Sequence, residues 1–310
     1  MFRQRAGSML LGVVRSAVFW PCTVAENPMR LKWNSMESPC SIPKLALCNF
    51  MKDVRELRSL AASLGLAGVD WTFTLEDLPR DSAGESRLAD VIAGLEPLEI
   101  RYHCAFEGID LGDADPRKAA QAMEIFKRVC RVVSRVNGRF MTIHMGLGRA
   151  SMNGLLWDRS LEALRSLVQY AEDLGVCVCL ENLASGWSSR PELFERLIRK
   201  TGAGITLDIG HATVSHSVES QGYKFEDFAL PNADRVFNAH IYHLERDGRH
   251  LPPGNLSDLC ERLTILSYLP CEWWVLELRE GESFRATHDI VKEFIERRPA
   301  MLPRDHWGIL

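Results

Sequence analysis

No apolar run among these 310 residues approaches the roughly 20 needed to cross a bilayer as a helix, so the chain reads as a soluble protein with no membrane partner. An excess of one charge is missing too. The formal net charge of -4 gives no global pull toward nucleic acid, although a local basic groove is compatible with it. Cysteines are present, nine of them, but in no paired pattern. Their number is odd, and positions 22, 40, 48, 104, 130, 177, 179, 260 and 271 fit neither a disulfide framework nor a paired zinc motif. The expectation is a reducing, cytoplasmic compartment. No linker divides the chain after its first 43 residues, so one large domain is expected over residues 44–310.

The first 43 residues stand apart. Arg3 and Arg5 precede Met9-Leu10-Leu11-Gly12-Val13-Val14, a superficial likeness to a secretory signal. Arg15 interrupts the apolar stretch, however, and Thr23-Val24-Ala25 is a mediocre cleavage site. The segment is read as a disordered extension, or as the product of an upstream start codon, and is left out of the fold.

From Lys44 onward, strand-like and helix-like segments alternate, which argues for a parallel sheet covered by helices. Strands are expected at 44–49, 67–71, 98–104, 139–144, 176–181, 204–209, 235–241 and 273–278. Amphipathic helices are expected at 53–64, 115–136, 157–174, 191–200, 256–268 and 287–297. Asp115-Pro116 supplies a cap and a first-turn proline. Residues 212–230 read as a long loop over the site. Eight strands in alternation is the count of a single (β/α)8 TIM barrel, whose chemistry gathers at the C-terminal strand ends.

Those strand ends carry the informative pattern. Glu181, Asp208, His240 and Glu277 close strands five to eight, giving three carboxylates and an imidazole at one height. Three converging carboxylates repel unless a cation sits among them. Such a donor set suits Mn²⁺, Mg²⁺ or Co²⁺ and does not exclude Zn²⁺. His103 and His144 end strands three and four beside Glu181, a softer set for which zinc is the natural occupant. Each could equally be a hydrogen-bonded core histidine. His211 with His250 could form a third site, or His211 could bind substrate hydroxyls. Arg246 and Arg249 could clamp a phosphate or carboxylate, or belong to a solvated polar loop. Cys177 and Cys179 share a strand face with Glu181 and read as small buried hydrophobes.

Leu180-Glu181-Asn182, Thr206-Leu207-Asp208-Ile209-Gly210-His211-Ala212, His240-Ile241-Tyr242-His243 and His250-Leu251-Pro252-Pro253-Gly254 resemble the xylose isomerase-like TIM-barrel superfamily over roughly residues 44–300. That superfamily holds sugar and sugar-phosphate isomerases and epimerases, and also the endonuclease IV class of abasic-site nucleases. The first group implies one divalent metal on Glu181, Asp208, His240 and Glu277. Glu181 and Glu277 would then act as catalytic bases through an enediolate. His211 and Arg246 or Arg249 would hold substrate oxygens, and Trp71, Phe106 and Trp187 would stack on the sugar, although each aromatic could be ordinary packing.

The second group implies three zinc ions. His103, His144 and Glu181 would hold one, and Glu181 would bridge to a second on Asp208, His240 and Glu277. His211 and His250 would hold the third with an acid two residues before His250. Gly248 stands at that position, which puts the third zinc in doubt. DNA is disfavoured because residues 72–81 carry one Arg against Glu76, Asp77 and Asp81, whereas a small phosphodiester remains open. The expected function is therefore a metal-dependent isomerase or epimerase of a small hydroxy-carbonyl compound, with one to three ions. The alternative is a multi-zinc phosphodiesterase. An inactive binding barrel is disfavoured by the complete donor set. The superfamily's outer helices also suggest a homodimer.

Overall fold

Short apolar strands and amphipathic helices alternate along the chain, and the strands close on themselves. The computed structural model describes residues 42–301 except 150 and 221, so the extension up to residue 41 lies outside the described residues. The strands are β1 (Lys44–Cys48), β2 (Gly68–Phe73), β3 (Glu99–Cys104), β4 (Phe140–Ile143), β5 (Cys177–Glu181), β6 (Gly204–Asp208), β7 (Val236–Ile241), β8 (Leu244–Arg246), β9 (Arg249–Leu251) and β10 (Trp273–Leu276). Eight of them form a closed parallel barrel in the order β1-β10-β7-β6-β5-β4-β3-β2. The remaining two, β8 and β9, pair antiparallel as a separate hairpin. The barrel expected from the alternation is the one observed.

Helix boundaries follow local chemistry. Asp53 caps the helix Val54–Leu64 through the Arg55 amide, and Gly65 ends it at φ 67, a left-handed conformation that glycine adopts without a Cβ clash. Asp115 caps Pro116–Arg135, whose Ala122, Phe126, Val129 and Val133 form one buried stripe. The helix Ser82–Ala93 has no counterpart among the expected elements. Its only buried residue is Leu88, so it leaves almost no periodic signal.

Residues 212–230 depart from the expected loop. They contain the end of the helix Ile209–Val214 and the short helices His216–Glu219 and Glu226–Ala229. The segment is anchored rather than loose, because Ala212, Phe225 and Phe228 are buried and the Phe228 ring lies 6.3 Å from Phe194.

Inside the barrel the side chains form layers. Near the N-terminal strand ends, Arg101 lies over the rings of Phe140 and Trp273, at 4.1 and 4.6 Å. It donates to Asn238 Oδ1 (2.6 Å), and Asn238 donates in turn to Thr206 Oγ1 (3.0 Å), which meets Thr142 Oγ1 at 2.7 Å. This polar layer seals the barrel beneath the histidines and carboxylates of the opposite mouth. Among the described residues no helix is long and apolar enough to cross a membrane.

Candidate metal centre

Each strand delivers its polar group at the same end. Glu181 and Asp208 are the last residues of β5 and β6, and His103 and His240 are next to last in β3 and β7. His144 and Glu277 follow directly after β4 and β10. The register places Asp208 opposite His240. Four groups of donors, each within 4.8 Å, overlap here: Glu181/Asp208/His240/Glu277, His103/His144/Glu181, Asp208/His211/His250 and Asp70/His103/His240.

Glu181 lies at the centre. Its Oε2 is 3.2 Å from His144 Nε2, 3.4 Å from His103 Nε2 and 3.4 Å from His240 Nδ1. Its Oε1 lies 3.5 Å from His211 Nδ1. Glu277 Oε2 reaches His240 Nδ1 at 3.0 Å. Asp208 divides its carboxylate. Oδ1 accepts from the His211 amide (2.7 Å) and caps the helix Ile209–Val214, while Oδ2 stays buried without a hydrogen-bond partner. Asn182 holds Asp208 from behind, donating to its carbonyl and accepting from its amide, both at 2.8 Å.

Three histidines are pinned from behind by backbone carbonyls. The Nδ1 atoms of His144, His211 and His250 lie 3.2, 3.0 and 2.9 Å from the carbonyls of Cys104, Asn182 and Glu277. A carbonyl only accepts, so each Nδ1 carries the proton. Nε2 of His144 and His250 is left as a candidate metal-ligand atom, while Nε2 of His211 meets Glu245 Oε2 at 2.6 Å. His103 Nε2 and His144 Nε2 then face each other at 3.1 Å. Two lone pairs at that distance require a proton or a cation between them.

The electrostatics agree with this reading. Burial alone would push Glu181 and Glu277 up, but His240 with His144 at Glu181, and His240 with His250 at Glu277, hold both carboxyls well below their ordinary range. Burial lowers His240 and His211, yet Glu277 and Glu181 at the first, and Asp208, Glu181 and Glu245 at the second, raise both well above 6.5. Asp208 goes the other way from its fellow carboxylates. Burial raises it, His211 offsets this only partly, and the charges of Glu181 and Glu277 add to the rise. His240 explains the difference: it is 3.8 Å from Asp208 Oδ2 but closer to both glutamates.

Atoms on Asp208, His240 and Glu277 that are buried without a hydrogen-bond partner belong to a donor set that could hold a divalent cation. The side chains become more exposed from Asp208 and His240 (both 0%) to Glu245 (24%) and His250 (26%), so the centre opens to solvent beside the β8–β9 hairpin.

That hairpin turns on Asp247-Gly248, both at positive φ (52 and 69), the two-residue turn that Asp-Gly favours. Gly248 is thus a turn residue. Glu245 and His250 pair across the ladder, as do Arg246 and Arg249. Neighbouring positions face opposite ways. Glu245 reaches His211 Nε2 at 2.6 Å, whereas Arg246 and Arg249 are exposed and are not brought to the centre.

The three aromatics also have defined surroundings. Phe106 is buried with its ring 5.7 Å from Phe126. Trp187 meets Trp157 edge-on at 5.1 Å, and Trp71 is half-buried on β2. Asp70, Glu245 and Tyr242 belong to the centre although the sequence pattern does not single them out. Tyr242 stacks on His250 at 3.9 Å, and its hydroxyl is buried near Asp208. A cavity of about 630 Å³ lined by Lys44, Glu99, Tyr102, Arg135 and Phe140 lies at the opposite, N-terminal mouth, away from these donors.

Tyr242 depends on Gly210. A Cβ at Gly210 would lie 2.1 Å from Tyr242 Cε2 and 2.4 Å from Cζ, and Tyr242 is fully buried. Gly210→Ala is therefore expected to destabilise the fold by about 1–3 kcal/mol through overpacking and to disturb the His250 stack. Denaturant unfolding together with bound-metal analysis checks this; wild-type values for both would contradict the assigned packing.

A family model described as xylose isomerase-like TIM barrel matches residues 59–291. An uncharacterized protein of Methanocaldococcus jannaschii is 30% identical over 166 residues, covering 53% of this chain and 71% of the relative. Among solved structures, a D-tagatose 3-epimerase-like protein superposes with a TM-score of 0.66 at 17% identity, over 83% of this chain and 98% of that one. D-Allulose 3-epimerase from Methylomonas sp. gives 0.62 at 16%, over 84% and 100%. Endonuclease IV from Thermus thermophilus gives 0.59 at 16%, over 82% and 100%. At these identities the structural likeness carries the fold and not the reaction.

Proposed function

The chain belongs to the xylose isomerase-like TIM barrel family, and from that premise we propose that it is a divalent-metal-dependent isomerase or epimerase of a sugar, a sugar phosphate or a similar hydroxy-carbonyl compound. The observation that carries this reading is the buried four-donor group, with Glu181 and Glu277 at the two ends of an arc through Asp208 and His240. A cation on these four would supply Lewis-acid polarisation of a carbonyl and its neighbouring hydroxyl.

The chain's own residues do the rest. Both glutamates are held ionised near neutrality, so one can take a proton from the carbon beside the carbonyl. The other, once it has taken up a proton from substrate or solvent, can deliver that proton to the opposite face of the resulting enediolate. His211, fixed by the Asn182 carbonyl and paired with Glu245, is set to orient a substrate hydroxyl at the mouth. The depth of the donors favours a small molecule that enters past the hairpin.

A second reading, a multi-zinc phosphodiesterase acting on a small phosphodiester, is favoured by one observation. His103 and His144 converge on Glu181 with their Nε2 atoms opposed, a donor pair that a one-metal isomerase does not require. Metal analysis separates the two. Protein purified without chelators or a histidine tag is expected to hold about one ion per chain, exchangeable for Mn²⁺ or Co²⁺, and to convert a ketose. Two or more tightly held zinc ions, with loss on His103→Ala or His144→Ala and no ketose turnover, would overturn the isomerase in favour of the hydrolase.

A further inference from the structure

Every histidine of the centre needs something behind it. A ring that offers one nitrogen to a metal must carry its proton on the other, and that N–H needs an acceptor to fix tautomer and orientation. For His144, His211 and His250 the acceptor is a backbone carbonyl. His103 and His240 have none. Their inward atoms are His103 Nε2, towards Glu181 and His144, and His240 Nδ1, towards Glu181 and Glu277. Their other ring nitrogens, His103 Nδ1 and His240 Nε2, are both buried without a hydrogen-bond partner, and His103 Nδ1 also lies 3.9 Å from Glu277 Oε1.

A third buried atom without a partner lies between them. Asp70 Oδ2 is 3.5 Å from His103 Nδ1 and 3.9 Å from His240 Nε2. Asp70 is 1% exposed and stands within β2, between Val69 and Trp71. Burying a carboxylate is costly unless its charge is met. Two imidazole nitrogens stand 3.5 and 3.9 Å from the same oxygen, near enough to meet that charge if each carries its proton on this side after a small closing of the rings. The two rings themselves lie 5.1 Å apart, close enough for a single oxygen to serve both.

We propose that Asp70 is a positioning residue shared by His103 and His240, accepting the Nδ1 proton of the first and the Nε2 proton of the second. It thereby turns His103 Nε2 and His240 Nδ1 toward the metal centre. The proposal rests on the metal-holding role argued above. One carboxylate then links the donor group His103/His144/Glu181 to the group Glu181/Asp208/His240/Glu277 from behind, as Glu181 links them from within.

The test is a metal titration of the full chain, stripped of metal and titrated with Co²⁺ against a competing chelator. Asp70→Asn keeps the shape and removes the charge. Loss of such an outer-shell acceptor weakens metal binding by about 10- to 100-fold, and that is the expected loss, together with a changed Co²⁺ absorption spectrum. Wild-type affinity and spectrum in Asp70→Asn would overturn the proposal. If wild type binds no Co²⁺ at all, the metal reading itself fails, a result distinct from intact binding that ignores Asp70.

Should the variant not fold, ¹⁵N-histidine NMR of the Zn²⁺-loaded wild type decides. Protons on His103 Nδ1 and His240 Nε2 are expected. A proton on the opposite nitrogen of either ring would refute the shared role.

Discussion

Glu181→Gln is expected to abolish turnover and to release bound metal in the same stroke. The substitution is nearly isosteric, so packing is preserved and only charge and protonation chemistry change. Glu181 is 1% exposed and its two oxygens face His103, His144, His211 and His240 at 3.2–3.5 Å. A neutral amide brings no charge to a bound cation, and it removes the counter-charge that raises His103, His211 and His240. Loss of a general base alone costs about 10²–10⁴ in rate. Loss of the carboxylate as a metal donor adds to that, because it belongs to two of the overlapping groups.

Glu277→Gln should match this loss in rate but not in metal content where His103 and His144 still hold an ion with Glu181. Steady-state kinetics and metal content on the same preparations check both. Wild-type metal content with a rate within about tenfold of wild type in Glu181→Gln would remove Glu181 from the centre.

Much of this centre is legible in the sequence because β periodicity and strand-end placement both show in a linear chain. Glu181 and Asp208 end apolar runs that can only be buried strands, and the structure puts them at those ends. Asp70 is not legible in the same way. The sequence pattern stops β2 at residue 71, but pairing with β3 carries it on to Phe73, opposite Cys104. Asp70 therefore sits inside a strand instead of at its end. An isolated acid in the run Gly68-Val69-Asp70-Trp71 is the available signal, since an inward carboxylate there has to find a partner.

The hairpin shows a different failure. Residues 245–254 read as one polar loop, which makes Arg246 and Arg249 the conspicuous candidates. Asp247-Gly248 is itself a hairpin signal, and once the register is fixed, alternation sends Glu245 inward and both arginines out. The helix Ile209–Val214 is hidden for a third reason. Its N-cap is Asp208, a residue whose strand-end position already accounts for it, so the capping role leaves no separate mark.

Removing the metal is expected to reverse the pH dependence of stability. In the metal-free chain His240 and His211 have raised pKa values, so the native state holds protons that the unfolded chain gives up above about pH 6.5. Their contribution is fully present below that pH and is lost as pH rises through the folded values. Asp208, also raised, acts in the same direction from its ordinary value of 3.8 upward. Glu181 and Glu277 are depressed, so their contribution is present above about pH 4.5 and is lost as pH falls. With respect to these groups, the metal-free chain is therefore best placed between about pH 4.5 and 6.5 and weakens toward pH 8.

A bound cation demands the opposite protonation: neutral imidazoles and three ionised carboxylates. Its uptake must displace protons, and its affinity must rise over the same range in which the metal-free chain loses stability. With free metal at a thousand times Kd the gain is about 4 kcal/mol, more than enough to invert the trend. Thermal unfolding at pH 5, 6, 7 and 8, with and without chelator, reads this directly. The two series should lie closest at pH 5 and separate steadily as pH rises. Coincident unfolding temperatures across that range would mean that no cation is held by these residues, and the orphaned donors of Asp208, His240 and Glu277 would then need protons, not a metal, to satisfy them.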